Sequence, residues 1–203
     1  MLRARNSLRT FSTKVYKNRI DGQWVTSSGP SSIKVLDPLD ENKVLAYVPQ
    51  TPESEFNDIV ANAQDTFNEW KEVPIPARIR YMLKYQQLLK DNQHDIATEI
   101  AREHGKSHID AMGDIFRGYE VVEHAASFGS LAMGETVENV AKNVDIYSYR
   151  KPLGVCAGIA PFNFPAMIPL WMYPLAITLG NTFVLKPSEK VPGTTDILID
   201  LLE

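Results

Sequence analysis

The sequence predicts an α/β fold built on a parallel strand pair, and three observations carry that prediction. Residues 153–203 read strand, loop, helix, strand, loop, helix. This is the pattern of a βαβ unit, whose two strands run parallel. Residues 18–49 hold short extended segments separated by turn residues. Between these regions the apolar residues keep helical spacing. The chain has 203 residues, 44% hydrophobic and 23% charged, enough for one good core, or for one domain and part of another.

In chain order, "RIDGQWV" places Asp21-Gly22 between two extended pieces, a hairpin signal. "SIKVLDP" and "VLAYVP" read as strands joined by a turn that Asp37-Pro38 begins. Thr51 is placed to cap a helix and Pro52 suits its first turn. Phe56, Ile59, Val60, Ala63, Phe67 and Trp70 then keep one helical face until Pro74 and Pro76 break it. A second helix has Ile79, Met82, Leu83 and Leu89 as its apolar face. A third, around Ile96 and Ile100, stops at Gly105. A fourth runs from about Ser107 towards Gly129, with Met112, Phe116 and Tyr119 on one side. In "VENVAKNVDIYSYRKPLG", Val144, Ile146 and Ser148 alternate with Asp145, Tyr147 and Tyr149, which predicts an exposed or edge strand. The final unit reads strand over 155–159, helix over 166–179, a stop at Gly180-Asn181, strand over 182–186, and helix from 191. There is no internal repeat.

The composition excludes several classes. A net charge of -4 offers no basic field for nucleic acid. The single cysteine, Cys156, rules out an intrachain disulfide and a cysteine zinc site. His104 and His108 have i, i+4 spacing, but Gly105 between them ends a helix, so surface or capping roles are expected and no metal site. The uncharged stretch from Pro152 to Leu185 carries Pro161, Pro165, Pro169 and Pro174, which argue against a membrane span and for a buried strand–helix–strand. The first twenty residues carry Arg3, Arg5, Arg9, Lys14, Lys17 and Arg19 with no acid before Asp21, the composition of a mitochondrial presequence. Cleavage is expected after Phe11.

Ligands of open parallel sheets bind at the carboxyl ends of the strands. Two loops stand there: "APFNFP" after the first strand and "KPSEK" after the second. Pro161 and Pro165 restrict the first loop around Asn163, the polar side chain of that string. A fixed amide donor beside a reacting carbonyl stabilises a developing oxyanion by roughly 3 kcal/mol. Lys186 and Glu189 are suited to ribose hydroxyls. No G-x-G-x-x-G motif occurs. The residues alone leave plainer readings open: Asn163 as a turn former, Lys186 as a solvated strand end, Glu189 as a residue favoured by a helix dipole.

The stretch "GVCAGIAPFNFPAMIPLWMYPLAITLGNTFVLKPSEKVPG" resembles the aldehyde dehydrogenase superfamily, with its P-[WF]-N-F-P loop and K-P-S-E turn at matching separation. "RIDGQWV", "EHGK" and "YSYRKPLG" fall in family order, so the resemblance covers nearly everything after the presequence. Phe162 and "GDIFRGYEVVEHA" resemble the CoA-acylating methylmalonate-semialdehyde dehydrogenase branch.

The resemblance implies a Rossmann-like NAD-binding domain with an oligomerisation hairpin, NAD as cofactor, coenzyme A as co-substrate, a small semialdehyde as substrate and a homo-oligomer in the mitochondrial matrix. It implies that Asn163 is the side-chain donor of the oxyanion hole and that Ala160 and Phe162 line the nicotinamide side. Lys186 and Glu189 would meet the adenosine ribose. Lys190 stands where this branch usually has arginine, which removes a bidentate contact. Arg117 would receive the substrate carboxylate; its plainer reading is a helix-surface arginine. The implied boundaries are 1–11 for the presequence and 12–134 for the first part of the cofactor domain. The hairpin takes 135–152, and 153–203 starts the Rossmann-like unit. The family's nucleophilic cysteine belongs to a later region, and Cys156, in the strand before the Asn163 loop, does not match it. The expectation is an N-terminal portion without its catalytic domain. The alternatives are a non-catalytic short isoform acting through subunit contacts and a hydrolytic aldehyde dehydrogenase.

Overall fold

The computed structural model describes residues 14–203; the presequence expected over residues 1–11 lies outside them. A short first strand, β1 (Lys14–Val15), runs parallel to β5 (Asp40–Pro49), which pairs antiparallel with β4 (Ser32–Asp37). Between them in sequence, β2 (Asn18–Ile20) and β3 (Gln23–Val25) form the expected hairpin. Asp21 and Gly22 have φ of 48° and 66°, the left-handed pair that a two-residue turn needs to match strand twist.

Four helices follow: α1 (Glu53–Trp70), α2 (Ile75–Asp91), α3 (Gln93–His104) and α4 (His108–Ala126). Of these, α2, α3 and α4 pack with α5 (Met167–Thr178) and α6 (Pro192–Leu202) around Met82, Tyr85, Leu89, Ile96, Ile100, Ile115, Leu170, Tyr173 and Leu198, whereas α1 has no buried residue and supplies none to this core. Several expected details differ. Pro52, not Thr51, occupies the N-cap of α1, and Thr51 Oγ1 instead accepts a bond from Asn18 Nδ2 (3.0 Å). On α2 the buried face is Arg78, Met82, Tyr85 and Leu89, while Leu83 is exposed. On α4 it is Ala111, Asp114, Ile115, Gly118, Val122 and Ala125; Phe116 is exposed, and Met112 and Tyr119 only flank the core. On α2 the stripe keeps Met82 and Leu89 but takes in Arg78 and Tyr85, while on α4 it is rotated towards small and polar residues. Close helix packing needs small side chains, and an apolarity count passes over them.

The buried Arg78 satisfies helix ends. Its Nε donates to Thr178 O (2.9 Å), and its Nη1 to Trp70 O (3.3 Å) and Lys71 O (3.4 Å), the last carbonyls of α5 and α1. The three tryptophans also bridge elements. Trp24 Nε1 donates to Asp200 Oδ1 (3.1 Å), Trp70 Nε1 to Ile177 O (2.8 Å) and Trp171 Nε1 to Arg117 O (3.2 Å).

The segment 136–147 forms two antiparallel strands, β6 (Thr136–Ala141) and β7 (Val144–Tyr147), with every residue exposed. Only the second had a clear alternating signal. The βαβ unit appears as expected. β8 (Val155–Ile159) and β9 (Thr182–Lys186) pair in parallel from Val155↔Thr182 to Ile159↔Lys186, with α5 as the crossover and α6 after β9. Among the described residues no helix is long and apolar enough to cross a membrane.

Candidate functional site

The parallel register ends at Ile159↔Lys186, so the loops that begin at Ala160 and Pro187 leave one edge side by side. Ala160 is buried, and its N–H donates to Lys186 O (3.0 Å), adding one rung beyond the ladder. The half-exposed Phe162 ring lies 4.6 Å beneath Lys190 Nζ and so ties the two loops together. Its other neighbour is the His104 ring, 6.5 Å away. Burial, and then Lys106, pushes the His104 pKa below its ordinary value.

Asn163 is exposed, and its side-chain amide makes no hydrogen bond among the described residues. Its backbone is held instead. Lys106 Nζ donates to Asn163 O (2.6 Å) and to Asp114 Oδ2 (3.1 Å), and it lies 4.2 Å from the Phe164 ring centroid. The other oxygen of the same carboxylate, Asp114 Oδ1, accepts from Met167 N (2.8 Å) at the start of α5. That helix has no side-chain cap of its own, so Asp114 supplies one from α4. The connector that delivers Lys106 is short: α3 ends at Gly105 (φ 82°), and Ser107 caps α4 by accepting from Asp110 N (3.1 Å).

At the second loop, Lys186 Nζ lies 2.8 Å from Glu189 Oε2, and both side chains face solvent. The lysine holds the Glu189 carboxyl below its ordinary pKa. Behind this turn α6 begins with Pro192-Gly193. Gly193 N donates to Glu103 Oε2 (2.7 Å), while Tyr16 OH donates to Glu103 Oε1 (2.6 Å). A Cβ on Gly193 would collide with the side-chain ends of Glu99, Tyr16 (OH at 2.5 Å) and Glu103 (Oε1 at 2.8 Å), so a larger residue here would have to push them aside. Burial, the main cause, raises the Glu103 carboxyl to about 7; the nearby Glu99 adds to the rise. Arg117, on α4 three residues past Asp114, is exposed and paired with Glu120 Oε2 (3.0 Å). Cys156 is partly buried within β8.

A groove of about 870 Å³ lies between α1, the β2–β3 hairpin, β9 and α6; Lys186 and Glu189 line it, whereas Phe162 and Asn163 do not. The structure thus brings Ala160, Phe162, Asn163, Lys186, Glu189 and Lys190 to one strand edge and leaves Arg117 on the α4 surface. Lys106, Asp114, Glu103 and Tyr16 were missed. A findable signal existed for two of them: Asp114 and Glu103 are acids set in the buried stripes of α4 and α3.

The profile of the aldehyde dehydrogenase family matches residues 24–203. Among curated proteins, the chain is 49% identical over 198 residues to a mitochondrial acylating methylmalonate-semialdehyde/malonate-semialdehyde dehydrogenase of Rattus norvegicus. That match covers 98% of this chain and 37% of the rat protein. It is 52% identical over 184 residues to the mitochondrial acylating methylmalonate-semialdehyde dehydrogenase of Arabidopsis thaliana, covering 91% and 30%. The chain thus spans only about a third of the length of these relatives, 37% of the rat protein and 30% of the Arabidopsis one. Among solved structures, it is similar to the methylmalonate-semialdehyde dehydrogenase of Oceanimonas doudoroffii, with a TM-score of 0.90, 38% identity, and 94% and 38% of the two chains covered. A Sinorhizobium meliloti protein assigned to the same class and complexed with NAD gives a TM-score of 0.91 at 36% identity, covering 95% and 39%.

Proposed function

This chain belongs to the aldehyde dehydrogenase family, and from that premise we propose that it is the N-terminal portion of a CoA-acylating methylmalonate/malonate-semialdehyde dehydrogenase. The reaction is NAD-dependent oxidation of the semialdehyde to propionyl-CoA or acetyl-CoA. The observation that carries this reading is the shared edge of β8 and β9, where a free amide and an exposed cation–carboxylate pair leave adjacent parallel strands. The names of the rat and Arabidopsis relatives support the substrate class and the acylating step.

The residues present suit NAD. Lys186 offers donors and Glu189 acceptors, which complement ribose hydroxyls once the two side chains open from their mutual 2.8 Å bond. Ala160 and Phe162 would line the nicotinamide side, and Lys190 would stay near the ribose turn. NAD, when bound, supplies the hydride acceptor. The chain's own contribution is binding and charge stabilisation. The Asn163 amide would donate to the substrate carbonyl oxygen as negative charge develops there, and Arg117 would receive the substrate carboxylate. The attacking thiol would come from a region other than these 203 residues, because Cys156 is a β8 residue before the loop.

Two measurements test this. The 203-residue chain gives no NADH from methylmalonate semialdehyde and CoA above a no-protein control, while a longer form carrying these residues does, with acyl-CoA as product. NADH from the short chain, or free acid formed in the presence of CoA, overturns the reading. A second reading, a short non-catalytic form acting through subunit contacts, is favoured by the wholly exposed β6–β7 hairpin. The mitochondrial names of the relatives and the basic first twenty residues support a matrix location. A reporter fused to residues 1–20 that stays cytosolic refutes it.

A further inference from the structure

We propose that Lys106 and Asp114 form a buried clamp that positions Asn163 by holding its backbone, leaving its side chain free to act. The clamp rests on the reading of Asn163 given above only for its purpose; its mechanics follow from the loop.

Between Pro161 and Pro165 few torsions are soft. Proline fixes its own φ, and the residue before proline, Phe164, is confined to extended conformations. The remaining freedom lies at Phe162 and Asn163. The orientation of the peptide plane between residues 163 and 164 sets ψ of Asn163 and φ of Phe164 together. Lys106 grips that plane by its carbonyl oxygen at 2.6 Å. The far end of the loop is fixed by the same ion pair, since Asp114 accepts from Met167 N.

The ammonium is fully occupied: one carbonyl, one carboxylate and the face of Phe164. The Lys106 side chain is 15% exposed and that of Asp114 is 0%, so water does not compete strongly for either. A surface lysine on the same carbonyl would be a weak and mobile tether. Both act on the loop backbone at Asn163 O and Met167 N, so both are positioning residues.

The test separates clamp from fold. Removing Lys106 alone would leave the Asp114 carboxylate buried and unpaired, so the informative variant is Lys106→Met combined with Asp114→Asn. That pair of changes leaves no charge at either position, and the carboxamide oxygen introduced on α4 can still accept from Met167 N. Nitrogen-15 relaxation on the 203-residue chain reads the backbone order at residues 162–164. The wild type and Lys106→Arg should give order parameters of about 0.85, and the double variant below about 0.6, with α5 unchanged. Equal order in wild type and double variant overturns the clamp. A form that turns over aldehyde adds a second readout. There the double variant should lower kcat about as far as Asn163→Ala does, leave the KM for NAD unchanged, and cost nothing further when Asn163→Ala is added. A loosened loop with normal kcat upholds the clamp as a backbone device and overturns the oxyanion role of Asn163. Rigid loops in every variant overturn the clamp and leave that role standing.

Discussion

The two loops at the carboxyl edge of β8 and β9 are neighbours held in opposite ways. The first is gripped by a buried ion pair, and its one polar side chain, Asn163, has no partner among the described residues. The second has two of its polar side chains, Lys186 and Glu189, bonded to each other in solvent, and it is anchored from behind by the buried Glu103. The difference tracks the tasks proposed for them. A group that stabilises a transient charge must stand ready and unoccupied. A group that binds a stable ligand can rest on an exposed partner, because an exposed ion pair costs little to open.

The largest expected effect concerns the buried anchor of the second loop. The Glu103 carboxyl sits at about 7 in the folded chain, above its ordinary 4.5. A raised value means that the folded state binds the proton more tightly. Its contribution to stability is therefore fully present below about pH 4.5 and lost as pH rises through about 7. Glu103→Gln removes that titration. The stability of the wild type relative to Glu103→Gln should fall by on the order of 3 kcal/mol between about pH 4 and 8. Urea titrations across that range measure it, and a difference that does not move with pH would mean that the anchor carries no titrating proton.

Next comes the free amide. In a form that turns over aldehyde, Asn163→Ala should lower kcat by about a hundredfold with little change in NAD affinity. Near-normal turnover would return Asn163 to a turn-forming role and erase the contrast between the loops.

The smallest effect belongs to the exposed pair. Lys186→Met should change folding stability by no more than about 0.5 kcal/mol. In the same active form it should raise the KM for NAD. A loss of stability beyond that bound would show that the solvent-facing pair is a structural tie, like the one at Asn163.

The elements were legible because each is announced locally. Asp21-Gly22 marked a turn, Gly105 a helix end, and the apolar runs at 155–159 and 182–186 marked a buried parallel pair. The strand edge carrying Asn163 and Lys186 followed from the same pattern. The fasteners were not legible. Lys106 meets a carbonyl 57 residues away, Tyr16 a carboxylate 87 residues away, and Glu103 an amide 90 residues away. No local periodicity encodes such meetings. The misplaced faces have a physical cause too. Leu83 and Phe116 are large and apolar yet exposed, while Gly118 and Asp114 hold the buried positions on α4. Thr51 was a sound cap candidate by residue type, but Asn18 claims its hydroxyl.

The three indole bonds have an optical consequence. Trp171 joins partners 54 residues apart, Trp70 partners 107 apart and Trp24 partners 176 apart. Each seats its chromophore on a different seam: α5 on α4, α1 on α5, and the first hairpin on the last helix. Closing a longer loop costs more chain entropy. On loop closure alone, stopped-flow emission from single-tryptophan variants should register the helical seam at Trp171 first and the seam between the two ends of the described chain, at Trp24, last.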